Sequence, residues 1–164
     1  MKTLSNIATK ILIPGGGWGP LLVFLTHVFL SRVLHVFKYW PHTDIPLHFF
    51  GGLSIAFFVS RCFQLLPREP VSRSRVLVLE LILIGSLTAS AALCWEFAEF
   101  AIDQLLGTNV QVSLENTMID LAMGMLGGML LILIRARQLQ VGANDLREIT
   151  FDWIRGNAAF TTRT

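Results

Sequence analysis

The sequence predicts an all-α membrane protein, a bundle of four transmembrane helices with an extramembrane C-terminal tail. Three observations predict it. Hydrophobic residues make up 53% of the 164 residues and charged residues only 15%, so the chain is too apolar for an ordinary soluble domain. The apolar residues form runs close to the about 20 residues that a spanning helix needs. Segments rich in glycine, proline or arginine separate these runs.

The N-terminal residues 1–20 are predicted to form an interfacial segment. The run from Pro14 to Pro20 contains glycines and prolines that interrupt a helix, and Trp18 is suited to the membrane interface. A first span is predicted over residues 21–39. Polar residues interrupt it, and three of them share one helical face that must meet protein or water: Arg32, His35 and Tyr39. Arg32 either snorkels toward headgroups or serves as a counter-ion to acids elsewhere.

The second span is predicted over residues 44–66. Thr43 or Asp44 is a suitable N-cap, and proline is tolerated in the first turn. Asp44, His48 and Gly52 follow at four-residue spacing and therefore share a face. The glycine would let a neighbouring helix approach closely, one turn from the histidine.

The third span, predicted over residues 76–106, ends with acids. Glu96, Glu99 and Asp103 lie at i, i+3 and i+7, on one helical face. A carboxylate near the bilayer centre costs roughly 2.5–3.5 kcal/mol, whereas each large apolar residue returns only about 0.3–0.6 kcal/mol. These acids therefore need partners, protonation, a metal or water. Glu80, one turn inside the other end, is expected to be solvated and without function.

The fourth span is predicted over residues 114–134, followed by a tail over residues 135–164. One stripe at four-residue spacing carries Asn116, Asp120, Gly124 and Gly128. The two glycines form a G-x-x-x-G pattern, which predicts a helix contact inside the bundle or, alternatively, a homodimer.

Basic residues predict the topology. They occur in the N-terminal segment, around residues 61–75 and in the tail, whereas residues 107–113 contain none. The positive-inside rule therefore predicts four spans with both termini in the cytoplasm. The net charge of +2 comes from these short segments and does not indicate a nucleic-acid surface. Ionisable residues from several helices would then meet in the outer half of the membrane.

Clustered carboxylates repel one another unless some are protonated or a cation lies among them. An oxygen-rich set with a histidine suits a divalent ion such as Zn, Mn, Fe or Mg. The predicted metal ligands are Asp44, His48, Glu96, Glu99 and Asp120. The first hypothesis is an enzyme or binding protein that acts on a membrane lipid or lipid-linked envelope substrate, with Glu96, Glu99 and Asp120 catalytic. Arg32, His35, Asp103 and Asn116 would bind the substrate.

Two other functions are consistent with the same residues. The acids and histidine would form either a non-catalytic polar network that fixes helix packing, or a proton or cation pathway. The absence of an internal repeat in the sequence disfavours transport.

Three motifs resemble those of the YjdF-like family of bacterial inner-membrane proteins and, more loosely, the VanZ-like family. They are D-x-x-x-H-F-x-x-G over 44–52, W-E-x-x-E over 95–99 and N-T-M-x-D over 116–120. In the YjdF-like pattern an aspartate often stands where this sequence has Asn116. The resemblance implies a multi-helix membrane protein and, through the VanZ-like relatives, a link to glycopeptide resistance and the cell envelope.

Overall fold

The structure is a computed structural model that describes Thr9, residues 13–66 and residues 73–161. Within those ranges it is helical and contains no strand, which confirms the predicted all-α class. The first helix, α1, leads directly into a π-helical turn, and a 3-10 turn over Pro41–Thr43 precedes the third helix. The helices are α1 Trp18–Val28, with its π turn Phe29–Val33, α2 Val36–Tyr39, α3 Asp44–Leu65, α4 Arg73–Leu106 and α5 Leu114–Thr161.

Within the described residues, three helices are long and apolar enough to cross a membrane. Their spanning portions are Asp44–Leu65, Val76–Leu106 and Leu114–Gln138. The remaining apolar helix, Trp18–Val33, is shorter. At about 1.5 Å per residue it extends at most about 24 Å, against a hydrocarbon core of about 30 Å. The structure thus supports three spans and one shorter apolar helix, and the four-span count stays a prediction.

The first apolar helix differs from the predicted range of 21–39 at both ends. It begins at Trp18, because a proline in a first turn, here Pro20, lacks only an N–H that would be unpaired anyway. It ends in the π turn, where the Leu34 N–H donates to the Phe29 carbonyl at 3.1 Å. His35 then adopts a left-handed conformation with φ of 51°. Arg32, His35 and Tyr39 therefore do not form the single helical stripe that the sequence predicts.

Small residues bring α5 close to α3 and α4. A Cβ added at Gly52 in α3 would collide with the backbone of Gly124 in α5. A Cβ at Gly128 would lie 2.8 Å from the Thr88 methyl group of α4. Both glycines of the G-x-x-x-G pattern are thus buried against helices of the same chain.

A second polar group lies toward the opposite end of α3 and α4. Glu80 is only 2% exposed, and it accepts hydrogen bonds from Ser60 Oγ at 2.8 Å and Gln64 Nε2 at 3.4 Å. The prediction that Glu80 is solvated is therefore wrong. The reason is that α3 presents its own polar side chains at this level, which the sequence of α4 alone does not reveal.

An apolar layer lies between this group and the other polar end of the bundle. Ala56 of α3 and Ile84 of α4 are fully buried, and Leu131 of α5 is 9% exposed. Along α3 and α4 these residues separate Glu80 and Ser60 from the acids and histidine at the far ends of the same helices.

The residues from Leu133 to Thr164 form a separate compact unit, and α5 extends to Thr161. The predicted tail over residues 135–164 is thus largely helical. Its extramembrane, cytoplasmic position stays a prediction.

Candidate functional site

Six buried ionisable side chains meet at one end of the bundle, and we call them the acid–histidine cluster. Each is at most 8% exposed. At about 1.5 Å per residue, those of α3, α4 and α5 lie within about 15 Å of the nearer helix end. The members are His27 of α1, Asp44 and His48 of α3, Glu96 and Glu99 of α4, and Asp120 of α5. The structure therefore brings together all five predicted metal ligands and adds His27.

The two histidines connect the carboxylates. His27 Nδ1 lies 3.4 Å from Asp44 Oδ1, and its Nε2 lies 3.5 Å from Glu99 Oε1. His48 Nε2 lies 3.5 Å from Asp44 Oδ1 and 4.0 Å from Asp120 Oδ2, while its Nδ1 lies 3.6 Å from Glu96 Oε1. These separations exceed the about 2.7–3.2 Å of a good hydrogen bond, so the histidines lie beside the carboxylates without short direct hydrogen bonds to them.

Neutral donors hold the carboxylates in place from outside the cluster. Trp95 Nε1 donates to Glu99 Oε1 at 2.9 Å, and Asn116 Nδ2 donates to Asp120 Oδ2. Gln111 Nε2 donates to both the carbonyl oxygen and Oε2 of Glu96 at 3.2 Å. At Glu96 the oxygen that accepts from Gln111 is Oε2, while Oε1 faces His48. At Glu99 and Asp120 the oxygen that accepts from the outer donor is also the one that faces a histidine.

Sequence reasoning did not assign His27, Trp95 or Gln111 to the site. Trp95 stands four residues before Glu99, a spacing that places two side chains side by side on a helix. The sequence thus contained a signal for Trp95. His27 and Gln111 carried no such signal, since their partners lie on other elements of the chain.

Four atoms of the cluster lack hydrogen-bond partners among the residues that the structure describes. They are Asp44 Oδ1, His48 Nε2, Glu96 Oε1 and Asp120 Oδ1, and all four are buried. Leaving a buried polar atom unpaired costs about 1–3 kcal/mol, and more when the group is charged. Such atoms are normally paired with protein or water, so four of them in one cluster favour a bound species there.

The cluster offers two sets of ligand atoms for a cation, both containing His48. One set is Asp44, His48 and Asp120, and the other is His48, Glu96 and Glu99. Within each set the ligand atoms all lie within 4.8 Å of one another. An ion about 2.0–2.2 Å from each ligand would fit after a small inward movement of the side chains.

The residues predicted to bind substrate lie around the cluster. Asn116 contacts it directly, through its donation to Asp120. Arg32 and His35 are exposed and lie on the short segments after α1. Asp103 instead anchors the connection between α4 and α5: it accepts hydrogen bonds from Thr108 Oγ1 at 2.6 Å and from the N–H groups of Val110 and Gln111 at 2.8 Å. The substrate-binding role of all four stays a prediction.

Among the residues that the structure describes, three openings reach members of the cluster. One is small, about 50 Å³, and is lined by His27 and His48; the other two are larger. The first of these two, which we call the polar cavity, has a volume of about 520 Å³ and is lined by Asp44, Asn116, His35 and Lys38 among others. The second, the side groove, has a volume of about 150 Å³ and runs between α1 and α4 to His27 and Glu99. Ser31 and Val110 line both openings, so the two are adjacent.

Apolar helices that enclose buried carboxylates and histidines, with openings toward them, define an integral membrane protein with a polar internal site. A family model described as "Predicted membrane protein (DUF2238)" matches residues 19–140. Because the match covers most of the chain, the protein belongs to this family. No curated protein and no solved structure matches the chain.

Proposed function

We propose that the acid–histidine cluster binds a divalent cation and acts on a lipid or lipid-linked substrate of the cell envelope. The observation that carries the proposal is the set of four buried, unpartnered polar atoms within the cluster. Three carboxylate oxygens and an imidazole nitrogen are ligands that Zn, Mn, Fe or Mg accept. A cation in either ligand set would pair several of these atoms and offset the repulsion between the carboxylates.

The distribution of basic residues supports a topology with both termini in the cytoplasm, and the resemblance to the YjdF-like family supports a location in the bacterial inner membrane. Residues 107–113, which connect α4 to α5 beside the cluster, contain no lysine or arginine. The positive-inside rule then puts the cluster in the outer half of the bilayer.

The geometry supports distinct roles within the cluster. Asp44, His48 and Asp120 form one buried ligand set, in which Asp120 is fully buried. Glu99 lines the side groove, and Trp95 holds its carboxylate. A bound cation would act as a Lewis acid on a substrate oxygen. Glu99 would take a proton from an attacking water as the water oxygen bonds to the substrate's ester centre, and return that proton to the oxygen of the broken ester bond.

Elemental analysis tests the proposal. The protein is purified in detergent without chelator, and the expected result is a stoichiometric divalent metal. Asp120→Asn should lower the metal content at least tenfold, since it removes one ligand charge. The matched control is Glu115→Gln, an exposed acid of the same helix, which should retain the metal. Metal-free parent protein under these conditions would contradict the proposal.

A polar network that only fixes helix packing is the second candidate, and the donors Trp95, Gln111 and Asn116 favour it. Glu99→Gln distinguishes the two. In the catalytic case it abolishes turnover and leaves the melting temperature nearly unchanged. In the structural case its main effect is a lower melting temperature.

A proton or cation pathway is disfavoured by the apolar layer of Ala56, Ile84 and Leu131, three side chains that carry no polar atom. Ion flux into reconstituted vesicles above that of empty vesicles would support a pathway.

The YjdF-like and VanZ-like resemblances and a homodimer through Gly124 and Gly128 also stay predictions. The burial of both glycines inside the chain favours the contact within the bundle. Cross-linking in native membranes would test the dimer.

A further inference from the structure

The side groove has an apolar wall and a polar end. Phe24 and Val28 of α1 and Ile102 of α4 line its wall, while His27 and Glu99 lie at the cluster end. Phe24 and Val28 are also exposed on the surface of the chain. A hydrocarbon chain in this groove would contact apolar side chains along its length and end beside the cluster.

The polar cavity has a different chemistry. Lys38 and His35 lie on one wall, Asn116 lies on another, and Asp44 connects the cavity to the cluster. The cavity is more than three times as large as the side groove, at about 520 Å³ against about 150 Å³. It therefore has room for a headgroup, with an ammonium group and an amide as donors.

Charge decides which headgroup fits. The cluster holds four carboxylates and two histidines, so by itself it repels an anion. A divalent cation would reduce that repulsion, and Lys38 together with Arg32, which lines the side groove, adds positive charge at the two openings. An anion would then find the cation and these basic groups together, the combination that binds phosphate.

From these features we propose that the substrate is a phosphate-bearing lipid, with its phosphate in the polar cavity and its hydrocarbon chain in the side groove. The adjacency of the two openings at Ser31 and Val110 gives one molecule access to both. The inference rests on the proposed function, because the phosphate is held only after the cation has bound.

The test measures the melting temperature of detergent-purified, metal-loaded protein with three probes. Phosphatidic acid carries both the phosphate and the chains, diacylglycerol carries only the chains, and glycerol 3-phosphate carries only the phosphate. Phosphatidic acid is expected to raise the melting temperature at least twice as much as either of the others. Removing the metal with chelator should abolish that rise.

Substitutions then test whether the side groove itself is required for the shift with phosphatidic acid. Ala98 of α4 lines the side groove, and Ala98→Trp would fill it. Ala101→Trp, at an exposed alanine of the same helix outside the groove, is the matched control. Ala98→Trp should abolish the shift with phosphatidic acid and retain the metal, and Ala101→Trp should change neither. If Ala98→Trp does not fold, Val28→Trp replaces it, since Val28 lines the same groove.

Lys38 provides the test of the headgroup. Lys38→Ala should weaken phosphatidic acid binding at least fivefold, and Lys38→Arg should restore most of it. Equal shifts with diacylglycerol and phosphatidic acid, or an unchanged shift in a folded groove variant, would overturn this inference even if the metal is present. Absence of the metal from the parent protein would instead overturn the proposed function.

Discussion

Gly52→Ala is the substitution that most directly probes how the helices position the acid–histidine cluster. The added Cβ would lie 2.6 Å from the carbonyl carbon and 2.9 Å from the Cα of Gly124, and both belong to the backbone of α5. Ordinary contacts of a Cβ begin near 3.4 Å. Because backbone atoms cannot rotate away, α3 and α5 would have to separate by about 1 Å.

Overpacking of this kind costs about 1–3 kcal/mol. The separation would also move Asp120 of α5 away from His48 of α3, whose ligand atoms are already 4.0 Å apart. Gly52→Ala is therefore expected to lower the melting temperature by several degrees and to lower the metal content as well. Thermal unfolding in detergent and elemental analysis of the same preparation measure both effects.

The neighbouring Gly51→Ala is the matched control. Its Cβ would lie 3.8 Å from Val23 Cγ1, an ordinary contact. Because alanine favours a helix over glycine by up to about 1 kcal/mol, this variant should be neutral or slightly stabilising and should keep the metal. If the two variants have the same melting temperature and metal content, the close approach of α3 and α5 is not what positions the cluster.

Three further predictions concern single contacts. Gly107 follows α4 with φ of +63°, and an added Cβ there would have no atom within 4 Å. Gly107→Ala should therefore destabilise the protein through the backbone conformation alone, by about 1–2 kcal/mol in thermal unfolding. An unchanged melting temperature would refute this. Trp95→Phe keeps the ring and loses the donor to Glu99, so turnover should fall more than metal content; equal losses would indicate a general disruption of the site. Glu80→Gln, beyond the apolar layer, should leave the metal content unchanged, and a loss of metal would show that the two polar ends are coupled.

The helical class and the positions of the acids could be predicted from the sequence because both depend on local regularities. Apolar runs reveal helices through their length, and four-residue spacing reveals which side chains share a face. Asp44 with His48, and Glu96 with Glu99, follow this rule, and the cost of exposing acids to lipid indicated that they face inward.

Contacts between elements were beyond the reach of these rules. His27 looked like an interruption of an apolar run, because its partners Asp44 and Glu99 lie on other helices. Glu80 was expected in solvent, but it is buried, because Ser60 and Gln64 approach it from α3.

Interruptions of helical geometry could not be predicted from the sequence either. His35, just after the first apolar helix, adopts a left-handed conformation that few non-glycine residues adopt, and nothing in the spacing of its neighbours indicates it.

Anomalous scattering from protein crystals grown with Mn²⁺ would test the central claim most directly. The account predicts one strong peak at coordinating distance, about 2.0–2.3 Å, from His48 and at least two of Asp44, Glu96, Glu99 and Asp120. Crystals in which the ion binds elsewhere, while these side chains contact only one another or water, would contradict it.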